Sequence, residues 1–346
     1  MTAPLRLRLD AAALVANWRT LDRLSGAAAC GAAVKADGYG LGAAQVVQRL
    51  AAAGARDFFV SNWAEAVALA PLGVTVSVLH GVRDEDRGVA LTGIARPVLN
   101  TDAQVARWRE AGGGLCDVMV DTGMNRLGVS AAAVTGGLLD GLRIETLMSH
   151  LACADEDSAM NDRQRVALAG LAGRTSARRL SLANSAGVAL GCGYAFDLVR
   201  PGLALYGGVP RPDMAAILRQ VVTPQAQVLQ RRRVSTGATV GYNATWTATH
   251  DTEVAILNIG YADGYARGFS DRGCARVADG TALPVIGRVS MDLIAIDVSA
   301  APGVLEGDWI GLDFALPAAS AACGLSQYEL LTRLGPRYDR EWVSGA

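Results

Sequence analysis

Cys30-Gly31-Ala32-Ala33-Val34-Lys35-Ala36-Asp37-Gly38-Tyr39-Gly40-Leu41-Gly42 is the stretch that decides how this chain folds. A run of small apolar residues ends on a lysine, and glycines crowd the positions after it. That is the pattern of a buried strand delivering one amine into a tight loop with exposed backbone. An ammonium at such a strand end is partly desolvated, which lowers its pKa and frees the amine for Schiff-base chemistry or proton abstraction. The same stretch also suits a lysine that simply reaches the surface from the end of a strand. The residues on either side have to separate the two readings.

Outward from that stretch an alternation repeats. Apolar runs fall at 29–34, 58–60, 74–79, 95–99, 115–120, 144–148, 179–182 and 196–199, with Ala-rich helical segments at 43–53, 62–70, 102–111, 131–139, 161–172 and 185–190. Strands alternating with helices, with no dinucleotide fingerprint after the first, predict an α/β fold whose N-terminal part is a closed (β/α)8 TIM-like barrel rather than an open sheet. Asp37-Gly-Tyr-Gly-Leu-Gly has the wrong glycine spacing for a dinucleotide loop. Before the barrel, residues 5–9 alternate Leu with Arg as a half-buried strand that is free to pack with a later domain, and Asp10 caps a helix over 11–24. Near residues 210–213 the character changes. Segments 221–240, 253–259, 275–277, 283–289, 293–298 and 309–312 are rich in β-formers and separated by Gly-containing turns, and a helix over 326–334 closes the chain. The expected division is a barrel domain over 1–213 and a mainly-β C-terminal domain over 214–346.

A chain of 346 residues is long enough for two cores. Its formal net charge of −1, with both signs interspersed, lacks the basic surface of a nucleic-acid or anionic-membrane binder. A small molecule or another protein is the expected partner. The six cysteines include no Cys-x-x-Cys pair, so they read as reduced thiols of a cytoplasmic protein, and no metal centre is expected. The N-terminus has no apolar segment of the signal-peptide kind, and no segment reaches the ~20 apolar residues of a membrane span.

Chemistry in such barrels gathers at the carboxyl ends of the strands. Lys35 follows the first strand, Asn125-Arg126 the fifth, His150 the sixth, Asn184-Ser185 the seventh and Arg200-Pro201-Gly202 the eighth. A phosphate site is commonly built after strands seven and eight, where Ser185 offers a hydroxyl and Gly202 with Leu203 offer backbone N–H groups. Singly, Ser185 is explained as a helix cap, His150 as a satisfied core histidine and Arg126 as half of a surface ion pair. Five such residues at one end of one barrel favour a site. A lysine able to form an imine beside a phosphate cradle points to pyridoxal phosphate, with Arg200 placed to face the pyridine nitrogen. An always-charged donor there disfavours protonating that nitrogen.

Eight stretches in order then resemble one family, the bacterial alanine racemases, over nearly the whole chain. They are Ala33-Val-Lys-Ala-Asp-Gly-Tyr-Gly-Leu-Gly42, Val120-Asp-Thr-Gly-Met-Asn-Arg-Leu-Gly128, Ser149-His-Leu-Ala-Cys-Ala-Asp155, Ala183-Asn-Ser-Ala186, Val199-Arg-Pro-Gly-Leu-Ala-Leu-Tyr-Gly207, Val240-Gly-Tyr-Asn-Ala-Thr-Trp246, Ile259-Gly-Tyr-Ala-Asp-Gly264 and Gly287-Arg-Val-Ser-Met-Asp292. The resemblance implies interconversion of L- and D-alanine by two bases, supplying D-alanine for peptidoglycan. Lys35 would carry the cofactor and act on the D-enantiomer, and Tyr242 would act on the L-enantiomer. Tyr39, Ser185 and the backbone of Gly202 and Leu203 would hold the phosphate, and Arg200 would meet the pyridine nitrogen. Arg126 and the Met291 backbone would hold the substrate carboxylate, His150 would orient Tyr242, and Tyr261 would narrow the entrance. Because second-domain residues in this family serve the partner subunit's site, the resemblance also implies a head-to-tail homodimer. A phenol ionises only near pH ~10 in water, so a tyrosine base needs hydrogen bonds or positive charge nearby, of the kind His150 and Arg200 offer.

The chain departs from the family at several points. Met119 stands where many members carry a lysine, often carbamylated, that positions the arginine after strand five, so an anion or Asn125 is expected to hold Arg126 instead. Leu41 replaces a frequent histidine, and neither Pro336 nor Tyr338 aligns with the tyrosine that often meets the phosphate near the C-terminus. Within the same chemistry, a serine, lysine or broad-specificity racemase is the alternative. A non-catalytic pyridoxal-phosphate carrier would lack the β-rich segment after residue 210, and the cysteine signature of a barrel decarboxylase is missing.

Overall fold

The structure, a computed structural model, describes residues 3–343. The chain divides into two compact units: Leu14–Leu205 with Val209–Leu218, and the chain up to Ala13 with Tyr206–Gly208 and everything from Arg219 onward.

The first unit is a parallel barrel. Strands Asp57–Val60, Thr75–Val78, Arg96–Leu99, Cys116–Asp121, Ile144–Met148, Arg179–Ser181 and Leu198–Val199 pair in chain order. The remaining strand is split: Ala29–Cys30 pairs with Leu198–Val199, and Ala32–Ala33 pairs with Asp57–Val60. The first strand therefore joins the last, leaving no free edge. The split falls at Gly31, where a Cβ would lie 2.8 Å from the Asp57 carbonyl oxygen and 2.9 Å from the Phe59 ring. Asp57–Val60 is buried at every residue, as expected of a parallel strand covered on both faces.

Local chemistry sets the strand-to-helix turns. Asn62, Thr101, Ser130, Ser158 and Asn184 each accept a backbone N–H at the start of Trp63–Leu69, Asp102–Glu110, Ala131–Thr135, Ala159–Ala169 and Ser185–Ala189. Ala131–Thr135 stops short of the expected 131–139 because Gly136 and Gly137 follow at once. At the opposite, amino-terminal end of the strands, ions fill the barrel. Asp57 takes both terminal nitrogens of Arg179 at 3.0 and 2.8 Å. Fully buried Asp117 accepts the Ser77 hydroxyl at 2.6 Å and the Thr146 N–H at 3.0 Å, with Arg96 3.3 Å away.

The second unit is mainly β. Thr252–Leu257, Ile294–Asp297, Ala282–Ile286, Cys274–Arg276, Trp309–Leu312 and the long strand Val222–Val234 follow one another antiparallel, and Val222–Val234 returns to pair with Thr252–Leu257. The alternating strand Leu5–Asp10 joins this sheet, antiparallel to Val222–Val234 and parallel to Asp339–Val343. Its leucines are buried and its arginines half-buried, as its period of two requires. The closing helix is Gln327–Thr332, capped by Ser326 and Glu329 in a reciprocal box. A further helix, Leu316–Cys323, lies in a stretch for which no helix was expected.

Candidate active site

Lys35 leaves the barrel at the carboxyl end of the split strand and opens a turn of left-handed backbone. The φ angle is 53° at Ala36, 52° at Asp37, 64° at Gly38 and 56° at Tyr39. Such dihedrals cost a residue other than glycine ~1–2 kcal/mol, so the turn has to be held by its surroundings. Gly38 N–H donates to the Val34 carbonyl at 2.8 Å and Gly40 N–H to that of Ala36 at 2.9 Å. Asp37 Oδ1 accepts the Ala43 N–H at 2.8 Å. The amine of half-buried Lys35 is pushed below its ordinary pKa by desolvation first and by the Arg126 charge second, with Glu65 opposing both. Lys35 is also the only lysine in the chain; the other 31 basic residues of the 32 Lys and Arg are arginines.

Around the lysine the loops after strands one, seven and eight converge. The Ser185 hydroxyl accepts Gly202 N–H at 2.9 Å and Ala204 N–H at 3.1 Å. A Cβ on Gly202 would lie 2.2 Å from the Tyr39 phenol oxygen, so the tyrosine packs directly on bare backbone. Leu203 opens the turn Leu203–Tyr206, whose first N–H groups have no acceptor within the turn itself. A hydroxyl, a phenol and glycine backbone thus meet where the sequence placed a phosphate.

Arg200 is buried and pinned by both terminal nitrogens, one on the Ser181 hydroxyl and the other on the Ser149 carbonyl at 2.5 Å. Burial draws its guanidinium down to about 10, which leaves it charged at neutral pH. Next to it, His150 is pushed down to about 3 by burial and by the charges of Arg200, Arg126 and Lys35. Of the two aids expected for a tyrosine base, hydrogen bonds or positive charge, the lowered pKa of His150 favours the first from this residue and leaves the charge to Arg200.

Arg126 rides on a loop shaped by Asp121, whose Oδ1 accepts the Gly123 N–H at 2.7 Å and the Asn125 N–H at 3.1 Å. The Asn125 amide turns back to the Gly123 carbonyl at 3.4 Å. The Arg126 guanidinium has no ion pair or hydrogen bond among the described residues. Asn125 therefore does not take over the role that Met119 leaves open, and Asp121 fixes the loop backbone instead, a role the sequence reading did not assign.

The other three expected site residues lie in the β unit, on exposed loops. Tyr242, Tyr261 and Met291 are 66%, 39% and 54% exposed. The Tyr261 N–H donates to the Ser290 carbonyl at 3.0 Å and the Ala262 N–H to the Met291 carbonyl at 3.0 Å, which binds those two loops together. Gly241, just before Tyr242, packs on the Arg288 backbone. The Met291 N–H donates to no acceptor among the described residues.

A closed parallel barrel with one desolvated amine at its carboxyl end, where a hydroxyl-and-glycine cluster also gathers, defines a lysine-centred barrel enzyme. The family model described as alanine racemase, N-terminal domain, matches residues 9–210, and that of the alanine racemase C-terminal domain matches 221–342. The chain belongs to the alanine racemase family. It is 43% identical to an alanine racemase of Acidiphilium cryptum over 96% of this chain and 97% of that protein. It is 39% identical to a catabolic alanine racemase of Mesorhizobium japonicum, over 98% and 93% of the two chains. Among solved structures, the Bartonella henselae alanine racemase with covalently bound pyridoxal phosphate superposes with a TM-score of 0.89 at 32% identity, covering 98% of this chain and 99% of that one.

Proposed function

We propose that this chain interconverts L- and D-alanine with pyridoxal phosphate, Lys35 serving one face of the substrate and Tyr242 the other. It is a pyridoxal-phosphate-dependent isomerase of the alanine racemase family. What supports the site is that the only lysine follows the first strand at the same carboxyl end of the barrel as the Tyr39–Ser185–Gly202 cluster and the pinned Arg200.

When bound, the cofactor withdraws electrons from the substrate α-carbon and so acidifies its C–H bond. Tyr39, Ser185, Gly202 and Leu203 would hold its phosphate, Lys35 its aldehyde carbon, and Arg200 its ring nitrogen without handing over a proton. Arg126, which has no partner of its own among the described residues, and the Met291 N–H take the substrate carboxylate. Lys35 exchanges a proton at Nζ with the D-enantiomer, helped by the desolvation that weakens its hold on that proton. Tyr242 exchanges one at Oη with the L-enantiomer, oriented by a hydrogen bond from neutral His150, while charged Arg200 favours the phenolate. Tyr261 narrows the approach.

In this reading the chain works as a head-to-tail homodimer, each barrel completed by Tyr242 of the partner subunit. The exposure of Tyr242, Tyr261 and Met291 supports it. The product serves peptidoglycan synthesis in the cytoplasm. Among the described residues no helix is long and apolar enough to cross a membrane.

The test is exchange in heavy water. Lys35→Ala loses the visible band of bound cofactor and all turnover. Tyr242→Phe keeps the band, and its D-alanine trades the α-hydrogen for solvent deuterium faster than it inverts, because only one base remains. Undiminished inversion of both enantiomers by either variant overturns the assignment.

A further inference from the structure

Glu65 lies in the first turn of Trp63–Leu69 and follows Asn62 as in a capping box, and Asn62 Oδ1 accepts the Glu65 N–H at 3.0 Å. The glutamate does not complete the box. Its Oε2 accepts the N–H of Ser61, just past the second barrel strand, at 2.7 Å, and its Oε1 accepts the N–H of Ala36 at 2.7 Å. One carboxylate thus ties the end of strand two to the residue next to Lys35.

Ala36 is where the left-handed backbone begins. The turn bonds Gly38 to Val34 and Gly40 to Ala36, so the Ala36 N–H is an opening donor with no acceptor inside the turn. A helix cap has no need to reach across to a neighbouring strand. A strained turn carrying a reactive amine does need an anchor at its first peptide.

We propose that Glu65 is a positioning residue for Lys35: it clamps the left-handed turn on which the amine is mounted and places a negative charge beside it. The proposal rests on the reading of Lys35 as the cofactor-bearing base. The charge acts in the expected sense, since Glu65 holds the Lys35 proton on while burial and Arg126 drive it off. Removing the charge while keeping the size makes the amine more acidic; shortening the side chain keeps the charge but loses the span between two peptides.

Because Lys35 is the only lysine, amine chemistry on the full chain reads it alone, apart from the terminal amine, which peptide mapping separates. The apoprotein is labelled with acetic anhydride across a pH series and the peptide containing Lys35 is quantified by mass. In Glu65→Gln the labelling midpoint should move to lower pH. In Glu65→Asp it should stay near that of the native chain. On the holoenzyme, both variants should raise the primary isotope effect with α-deuterated D-alanine, whose proton Lys35 removes, and leave that with α-deuterated L-alanine level or lower. If the Glu65→Gln midpoint and both isotope effects match the native protein while stability alone falls, Glu65 is only a cap and the proposal is overturned. Borohydride reduction of the native holoenzyme separates the two failures. Cofactor mass missing from the Lys35 peptide sinks the underlying reading, whereas cofactor mass present with both Glu65 readouts unmoved sinks this proposal alone.

Discussion

The phenol of Tyr39 occupies the space in which a side chain on residue 202 would begin: a Cβ there would lie 2.2 Å from its oxygen and 2.9 Å from the ring carbon bearing it. The contact joins the turn after the first strand to the turn after the eighth, and in the proposed reading the cofactor phosphate sits beside it. Gly202→Ala should therefore lower cofactor affinity at least about tenfold, ~1.4 kcal/mol, in an equilibrium titration of the apoprotein. Tyr39→Phe added to it should restore only part of the loss, because the ring carbon still crowds the methyl group. A native affinity for Gly202→Ala would remove Tyr39 and Gly202 from the cradle.

Shared sites make a mixing experiment decisive. As homodimers in this reading, Lys35→Ala chains do not racemise alanine and Tyr242→Phe chains do so only weakly. A hybrid dimer has one site with both lesions and one with neither. Random reassortment should restore up to about a quarter of native activity, half the dimers being hybrids with one good site each. No recovery after subunit exchange, verified by a mass tag, would mean that each chain supplies its own tyrosine.

Acid should unfold the apoprotein partly through His150. Its pKa is about 3 in the fold against an ordinary value of 6.5, so the unfolded chain takes up a proton below pH 6.5 that the folded chain refuses until about pH 3. Stability is lost as pH falls through that window, at no more than about 1.4 kcal/mol per pH unit from this one group. Urea unfolding of the apoprotein between pH 7 and pH 4 should show a shallower decline for His150→Gln than for the native chain. Identical slopes would mean that the imidazole is as easily protonated in the fold as in water.

The ion network at the other end of the barrel should matter for stability and not for chemistry. Arg179→Met leaves Asp57 with only Arg96, at 3.5 Å, to balance its charge. The expected cost is about 3 kcal/mol in urea unfolding, as for other buried pairs stripped of one partner. The kcat on alanine should hold at temperatures where the variant stays folded, since the network lies at the amino-terminal ends of the strands. A collapse of kcat in a variant of native stability would contradict that separation.

Most of the barrel was legible in the sequence because its signals are local. Asn62, Thr101, Ser130, Ser158 and Asn184 announce their helices within three residues of chain, and Leu5–Asp10 declares its buried face by a period of two. Ser185, Arg200 and Gly202 could be placed at one end because the βα repeat fixes where each strand stops. The left-handed run could not be foreseen: Ala36, Asp37 and Tyr39 disfavour that backbone on their own, and Gly38 licenses a single residue of it. Nor could Glu65, which reads as an ordinary helix cap until strands one and two lie side by side.

The sequence by itself determined the alternation that makes a barrel, the rim on which its polar residues fall, and that one side-chain amine exists to react. Only the tertiary structure decided how that amine is mounted, that burial and neighbouring charges lower the His150 pKa, and that Asp121 shapes the Arg126 loop. Those properties depend on burial, on charges distant in the chain and on peptides brought together across strands, and a local pattern of residues encodes none of them.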